Sequence, residues 1–472
     1  MEKSKLLIYF KSFTHEDWKW FDLFLRSPFF NRRKEMEELA LYLASFAPYD
    51  KELPDKKLIH QKLFGKARYN DKQVRYALTD LTRLLEKFLA ARALENDKVL
   101  MNQKLSDELL HRENEKAYAQ VYRNTKELLQ AQPHRNAEYH LEQFRNEYHQ
   151  YAFYSSRKKR SEKSNLESVM DQLDRFYIAK KLQLSCEVFN VQNVMAVEYH
   201  VFLLDEILQY LKDHPYKETP SVAVYLQILK TLREFEQEEN FSELLRLLRL
   251  HEKRFAKQEL RDMYQYALNY CIKKINLGNA NYQKNLFDIF KIILKNGVLT
   301  HSGSISQWDF KNITTVSLRQ KDYDWARGFI DKYESYLAPE ERENARSYNL
   351  ANYHFHKGEW GEALSMLQKV SFTDPYYQLD TRSMMLKIYF EMKEHDVFFY
   401  HVTAFLTYLR RNTKISEYQK TIYTNLVKLT SKVMRAGRDK RRLQALQKQI
   451  EQIKQIADIN WLRKKVTEIL ES

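Results

Sequence analysis

Between Pro133 and Pro215 the chain contains neither glycine nor proline, and over all 472 residues it carries only 8 of each. Average usage would place roughly 57 such residues in a chain of this length. Sheets need tight turns, and tight turns need residues that tolerate positive φ or pre-set φ near −65°. A chain this poor in both turns back only through polar connections between helices, so the expected class is all-α. The hydrophobic share of 44% is enough for packed cores and argues against wholesale disorder. The 32 tyrosines and 27 phenylalanines suit packing between helices.

Helical spacing and caps divide the chain. The first 95 residues read as four helices of an N-terminal module. Thr14 and Asp17 form a capping box ahead of Trp18, Phe21, Phe24 and Leu25, and Pro28 closes that helix. Asn31 is placed to cap a second helix running to about Phe46. A shorter one runs from Asp55 to Phe64 and ends at Gly65. Asn70 or Asp71 then opens a long helix with Val74, Leu78, Leu81, Leu85 and Phe88 on one stripe. Residues 96–213 form a middle region of long helices, with connections expected at Pro133 and at 157–160. The prolines at 215 and 220 make the sharpest break.

Beyond that break a repeat emerges over 214–430. Phe241, Tyr282, Tyr323 and Trp360 each follow a polar turn, and seven residues beyond each lies an aliphatic: Leu248, Ile289, Ile330 and Leu367. Their separations of 41, 41 and 37 residues mark stacked helical hairpins, each burying its apolar face against its neighbours. The stretch Asn296 to Ser306 interrupts the array as a hinge or long loop. Residues 431–472 read as a capping helix, from about Arg441 to Leu470, whose apolar seam shifts phase between Ala457 and Ile459.

Leu350, Ala351, His354, Gly358, Trp360, Ala363, Leu367, Val370 and Pro375 fall where a tetratricopeptide repeat places its small, aromatic, glycine and proline residues. The preceding unit keeps Tyr323, Ala326, Ile330 and Pro339, with Lys321 where that family prefers glycine. Residues 307–377 therefore resemble tetratricopeptide repeats. The resemblance implies a right-handed α-solenoid whose first helices line a concave face. Tyr348, Asn349, Asn352 and His356 would be exposed there, and the asparagine amides can hold an extended peptide backbone.

The search for chemistry is short. The eight glycines form no phosphate-binding loop, and no zinc-protease, serine-hydrolase or kinase pattern occurs. Glu-Tyr-His occurs at 138–140, 147–149 and 198–200, but nine residues of helix separate the first two histidines by about 13 Å. No metal site, cofactor or catalytic residue is expected. Cys186 and Cys271 are far apart, which suits a reducing, cytoplasmic setting. No apolar run approaches the ~20 residues that span a bilayer.

Lys and Arg number 78 against 63 Asp and Glu, a net charge of +15, which favours acidic partners. Three clusters concentrate it. One is Lys56, Lys57, Lys62, Lys66, Arg68, Lys72 and Arg75, on the outline of a helix–turn–helix. A second is Arg157, Lys158, Lys159 and Arg160 with Lys163. The third lies within 432–448 and includes Arg438, Arg441 and Arg442. The plain reading of each cluster is a solvated face. Three functions follow: a non-enzymatic scaffold that binds a protein or peptide, a nucleic-acid or ribonucleoprotein factor, or a transcriptional regulator combining both features.

Overall fold

A computed structural model describes residues 4–47, 49, 55–155, 164–194, 199–301, 303–371, 374–453 and 455–471. Helix is the sole regular structure among them. The chain divides into two compact units, Met1–Lys180 and Lys181–Ser472.

The first unit begins with five helices rather than four: α1 (Lys5–Lys11), α2 (His15–Arg26), α3 (Lys34–Ala44), α4 (Lys56–Phe64) and α5 (Asp71–Asn96). The apolar patch Leu6 to Phe10 is itself a helix and buries Leu6, Leu7 and Phe10. All five share one core. The stripe Val74, Leu78, Leu81, Leu85 and Phe88 of α5 meets Phe10, Phe21, Met36, Leu39 and Ile59. Fully burying each such side chain contributes about 1.5–3 kcal/mol.

The caps follow local chemistry. Thr14 and Asp17 make the reciprocal capping box on α2, Asp55 caps α4, and Asn70 caps α5. Asn31 does not cap α3. Its amide instead donates to the Leu25 and Arg33 carbonyls and ties the α2–α3 connection. The unit continues with α6 (Lys98–His111), α7 (Glu115–Ala131) and α8 (Ala137–Ser155), and Pro133 lies in the α7–α8 connection. The division between the units falls inside α9 (Leu166–Val194).

The second unit comprises α10 (Leu204–Asp213), α11 (Pro220–Arg233), α12 (Glu238–His251), α13 (Lys257–Asn276), α14 (Tyr282–Lys295), α15 (Gln307–Arg319), α16 (Tyr323–Tyr333), α17 (Pro339–Lys357), α18 (Trp360–Gln368), α19 (Pro375–Glu391), α20 (His395–Arg411), α21 (Glu417–Ala436), α22 (Lys440–Gln452) and α23 (Ile459–Glu471). From α11 onward each helix packs on its chain neighbours, and α15, α17, α19 and α21 also pack each on the next. Leu248, Ile289, Ile330 and Leu367 are all buried. Ala351 and Ala363, both wholly buried, let α17 and α18 approach closely. Pro375 does not end the second helix of its hairpin but opens α19, as Pro220 and Pro339 open α11 and α17. A fixed φ near −65° and a missing N–H are no loss in a first helical turn.

One turn recurs. Glu113, Gly278, Lys321, Gly358 and Lys393 all have left-handed backbone, with φ between 54° and 99°. At Gly358 the N–H bonds the Phe355 carbonyl (3.1 Å) and the next N–H bonds the His354 carbonyl (2.9 Å). The same pair of bonds closes α6, α13, α15 and α19. The residue after the turn then opens the next helix: Asn114 accepts from the Ala117 N–H, and Asp322 from the Trp325 N–H. Lys321 therefore adopts the conformation that Gly358 adopts one hairpin later. The α6–α7 hairpin has the same turn, although it precedes the segment where the repeat is visible in sequence.

Two expectations change. The connector after Asn296 buries Val298, Leu299 and Ile305, and the Ile305 N–H bonds the Tyr336 carbonyl (2.8 Å), so its described part is pinned to the fold. The C-terminal segment is two helices instead of one. The phase shift after Ala457 is a break, where Ile456 and Ala457 are buried and Asp458 has φ 48°. After it, α23 turns its Trp461 onto Phe390 of α19 (5.6 Å between ring centroids).

Candidate functional site

The polar faces of α15, α17 and α19 open onto a cleft of about 930 Å³ in the second unit. Helical spacing builds each wall. On α15, Lys311, Thr315 and Arg319 recur at intervals of four with Asn312 beside them, Tyr348, Asn352 and His356 do so on α17, and Asp380, Ser383, Lys387 and Glu391 recur at intervals of three or four on α19. The turn before α23 adds Asp458, and α23 itself adds Trp461, Lys464 and Lys465.

Three lysines on the cleft are neutralised in place. Lys311 pairs with Asp380, which also accepts from the Tyr423 hydroxyl (2.9 Å), and its ammonium lies over the Tyr377 ring (4.8 Å). Lys387 pairs with Asp458 and lies between Phe355 and Trp461. Lys465 pairs with Glu391 (2.8 Å), and the Trp461 indole donates to that carboxylate (3.3 Å). Low accessibility makes such pairs positional: each fixes where one helix meets the next, and losing one partner strands a charge. Arg319 differs. It is exposed and makes no ion pair among the described residues.

The electrostatics follow from the pairing. Lys387 holds the Asp458 carboxyl below its usual range, helped by Arg319 and by the Ser383 hydroxyl. Burial lowers His356, and the charges of Arg319 and Lys387 lower it further, although its Nδ1–H bond to the Asn352 carbonyl (2.9 Å) opposes this. His356 is therefore a neutral polar group at neutral pH. Burial, with Asp380 next, raises the Tyr348 and Tyr423 hydroxyls, so both remain protonated donors.

The four groove residues expected from sequence divide. Tyr348, Asn352 and His356 line the cleft. Tyr348 is largely buried and packs edge-on to Tyr377 (5.2 Å). Asn352 borders the cleft but is buried rather than exposed, and its amide donates to the Thr315 hydroxyl (3.2 Å). Asn349 is not a groove residue: it is fully buried, and its amide donates to the Ala345 carbonyl one turn back (2.7 Å). One position along a helix rotates a side chain by about 100°, enough to take it off the cleft wall. Sequence reasoning missed Lys311, Arg319, Asp380, Lys387 and Asp458. The polar stripe of α15 was a usable signal, whereas the carboxylate partners lie 69 and 71 residues from their lysines.

The basic clusters also divide. Lys56 and Arg75 both bind Asp71 (3.0 and 2.9 Å), Lys62 lies over the Tyr42 ring, and Lys72 lies over the Tyr76 ring. Lys57, Lys66 and Arg68 are exposed. Arg438 and Arg441 are exposed, and Arg442 binds Asp439 (3.2 Å). Arg157, Lys158, Lys159, Arg160 and Lys163 lie outside the described residues, as does Glu198. His140 meets Gln172 (3.0 Å) and His149 meets Asp107 (3.1 Å), each on its own partner. No cluster of three or more His, Cys, Asp or Glu suited to a metal ion occurs among the described residues.

No family model, curated protein or solved structure matches the chain. No helix among the described residues is long and apolar enough to cross a membrane.

Proposed function

We propose that the second unit is a tetratricopeptide-like solenoid that works as a non-enzymatic scaffold, holding an extended, acidic segment of a protein partner in the cleft between α15, α17 and α19. The observation that carries this reading is the polar wall made by first helices of successive hairpins, with the exposed Asn312 amide and the bonded pair Asn352–Thr315 set between charged positions. An extended backbone needs such a ladder, because its own N–H and C=O groups have no internal partners. Five cations and three carboxylates line the cleft, and Arg319 is left as an anchor for a carboxylate. A charge-assisted bond of this kind contributes about 1.5–3 kcal/mol.

The recurring left-handed turn supports the repeat, since one hairpin geometry reused along a chain generates a regular stack. The proposal includes a reducing, cytoplasmic setting, supported by two buried free thiols, Cys186 and Cys271.

The test is selection of 12-residue peptides from a random display library on the full chain, followed by affinity measurement on Arg319→Ala and Asn312→Ala. Enrichment of acidic sequences that lose about tenfold or more in affinity with Arg319→Ala supports the cleft. Enriched peptides that bind both variants as tightly as the original chain would remove it.

A further inference from the structure

A second surface, in the first unit, has different chemistry. Helix α4, the turn at residues 65–70 and the start of α5 carry Lys56, Lys57, Lys62, Lys66, Arg68, Lys72 and Arg75 against only Asp55 and Asp71. Both carboxylates are already engaged: Asp55 caps α4 by accepting the Lys57 N–H, and Asp71 accepts from Lys56, Arg75 and the Tyr69 hydroxyl. Lys57, Lys66, Arg68 and Lys72 are exposed and make no ion pair among the described residues. Clustered cations without counter-charges repel one another, and a polyanion relieves that repulsion.

The surface is also held in shape. His60, on the buried side of α4, bonds Gln73 of α5 (3.3 Å) and packs edge-on to Tyr69 in the turn (5.4 Å). The six-residue turn, longer than a standard helix–turn–helix connection, is thereby pinned to both helices. Lys72, Arg75, Tyr76 and Thr79 then form one exposed stripe on α5, spanning about 10 Å along its axis. The opposite face of α5 is fixed in the shared core. An α-helix braced from behind, about 10–12 Å across with its side chains, fits the ≈ 12 Å width of a duplex major groove, and this stripe would face it. Lys57, Lys66 and Arg68 flank it, where phosphates line the groove edges.

We propose that α4, the 65–70 turn and the first turns of α5 form a docking surface for double-stranded nucleic acid, contacting mainly its phosphate backbone. This surface is independent of the peptide cleft and rests on none of its residues.

The test is fluorescence anisotropy of a labelled 20-base-pair DNA duplex titrated with the full chain at 50 and 200 mM salt. The expected result is binding at 50 mM that weakens by a factor of about 1000 at 200 mM. Lys66→Ala, Arg68→Ala and Lys72→Ala combined weaken it at least tenfold, and make the slope of log affinity against log salt shallower by about 2.7. The Lys66→Arg, Lys72→Arg variant retains binding. Arg438→Ala, Arg441→Ala and Arg442→Ala combined, an equal loss of charge in the second unit, leaves binding unchanged. No binding at 50 mM, equal loss in both triple variants, or equal affinity for a single strand of the same length would each overturn the proposal.

Discussion

The cleft of the second unit and the α4–α5 surface of the first both carry lysine and arginine, yet their cations do different work. In the cleft Lys311, Lys387 and Lys465 are poorly accessible, and each has a carboxylate drawn from another segment of the fold. On the α4–α5 surface Lys57, Lys66, Arg68 and Lys72 are exposed, and among the described residues only Lys56 and Arg75 of the cluster have a carboxylate. A cation already paired at low dielectric fixes geometry and has little left to offer a ligand. An exposed, unpaired one adds almost nothing to stability but remains available to an incoming anion. Net charge alone, read as +15 over the chain, does not distinguish the two roles.

The sharpest way to break the comparison is to cut one pair. Lys387→Met leaves Asp458 without its main partner and is expected to destabilise the second unit by about 2 kcal/mol. That is less than for a fully buried pair, because the Asp458 side chain keeps 41% accessibility from the cleft. Hydrogen exchange resolved by peptide, with urea unfolding, measures the loss and its location. A Lys387→Met chain as stable as the original would make the cleft pairs as dispensable as surface charges.

The same pair is visible in a titration. Asp458 has a depressed folded value, so its stabilisation is complete above its usual 3.8 and is lost as pH falls through the lower folded value. His356 is also lowered, from 6.5, so below that pH the unfolded chain takes up a proton first and stability declines earlier. The urea midpoint of the second unit should therefore fall in two stages on acidification. Asp458→Asn should shrink the acid stage and His356→Gln the milder one, which His251 and His401, also lowered by burial, share. A single stage unaffected by either change would contradict these assignments.

Turn substitutions have smaller effects and bear on whether both units use one hairpin geometry. Gly358→Ala forces a side chain into left-handed backbone and should cost about 1 kcal/mol. Lys321→Gly and Glu113→Gly relieve that strain and should stabilise by up to about 1 kcal/mol, offset in part by glycine's extra unfolded-state entropy. Opposite signs at 321 and 113 would separate the α6–α7 hairpin from the later ones. The smallest effect belongs to the first unit's surface: Lys72→Met should change stability by no more than about 0.5 kcal/mol, measured by urea unfolding.

Much of the helical framework is legible in the sequence. The capping box at Thr14, the caps at Asp55 and Asn70 and the stripe from Val74 to Phe88 are local signals, because each interaction closes within one or two turns of helix. Pro220 marked the start of a helix for the same reason. The left-handed turns at Glu113, Lys321 and Lys393 were invisible because neither residue type announces positive φ; neighbouring helices hold them there. The C-terminal break showed in sequence only as a phase shift. It becomes a break because α23 gains Trp461 on Phe390 and Lys465 on Glu391 by turning back.

The amino-acid sequence by itself determined that this chain is helical, where several helices start, such as those after Thr14, Asn70 and Thr219, and which stripes are apolar. Those properties depend on backbone freedom and on spacing of 3.6 residues, which act over a few positions. Tertiary structure alone decided that Asn349 bonds its own helix while Asn352, also buried, borders the cleft, and that Lys387 has an ion-pair partner while Arg319 has none among the described residues. Those outcomes depend on contacts between residues tens of positions apart. Charge pairing and burial are properties of the three-dimensional neighbourhood, and no local pattern encodes them.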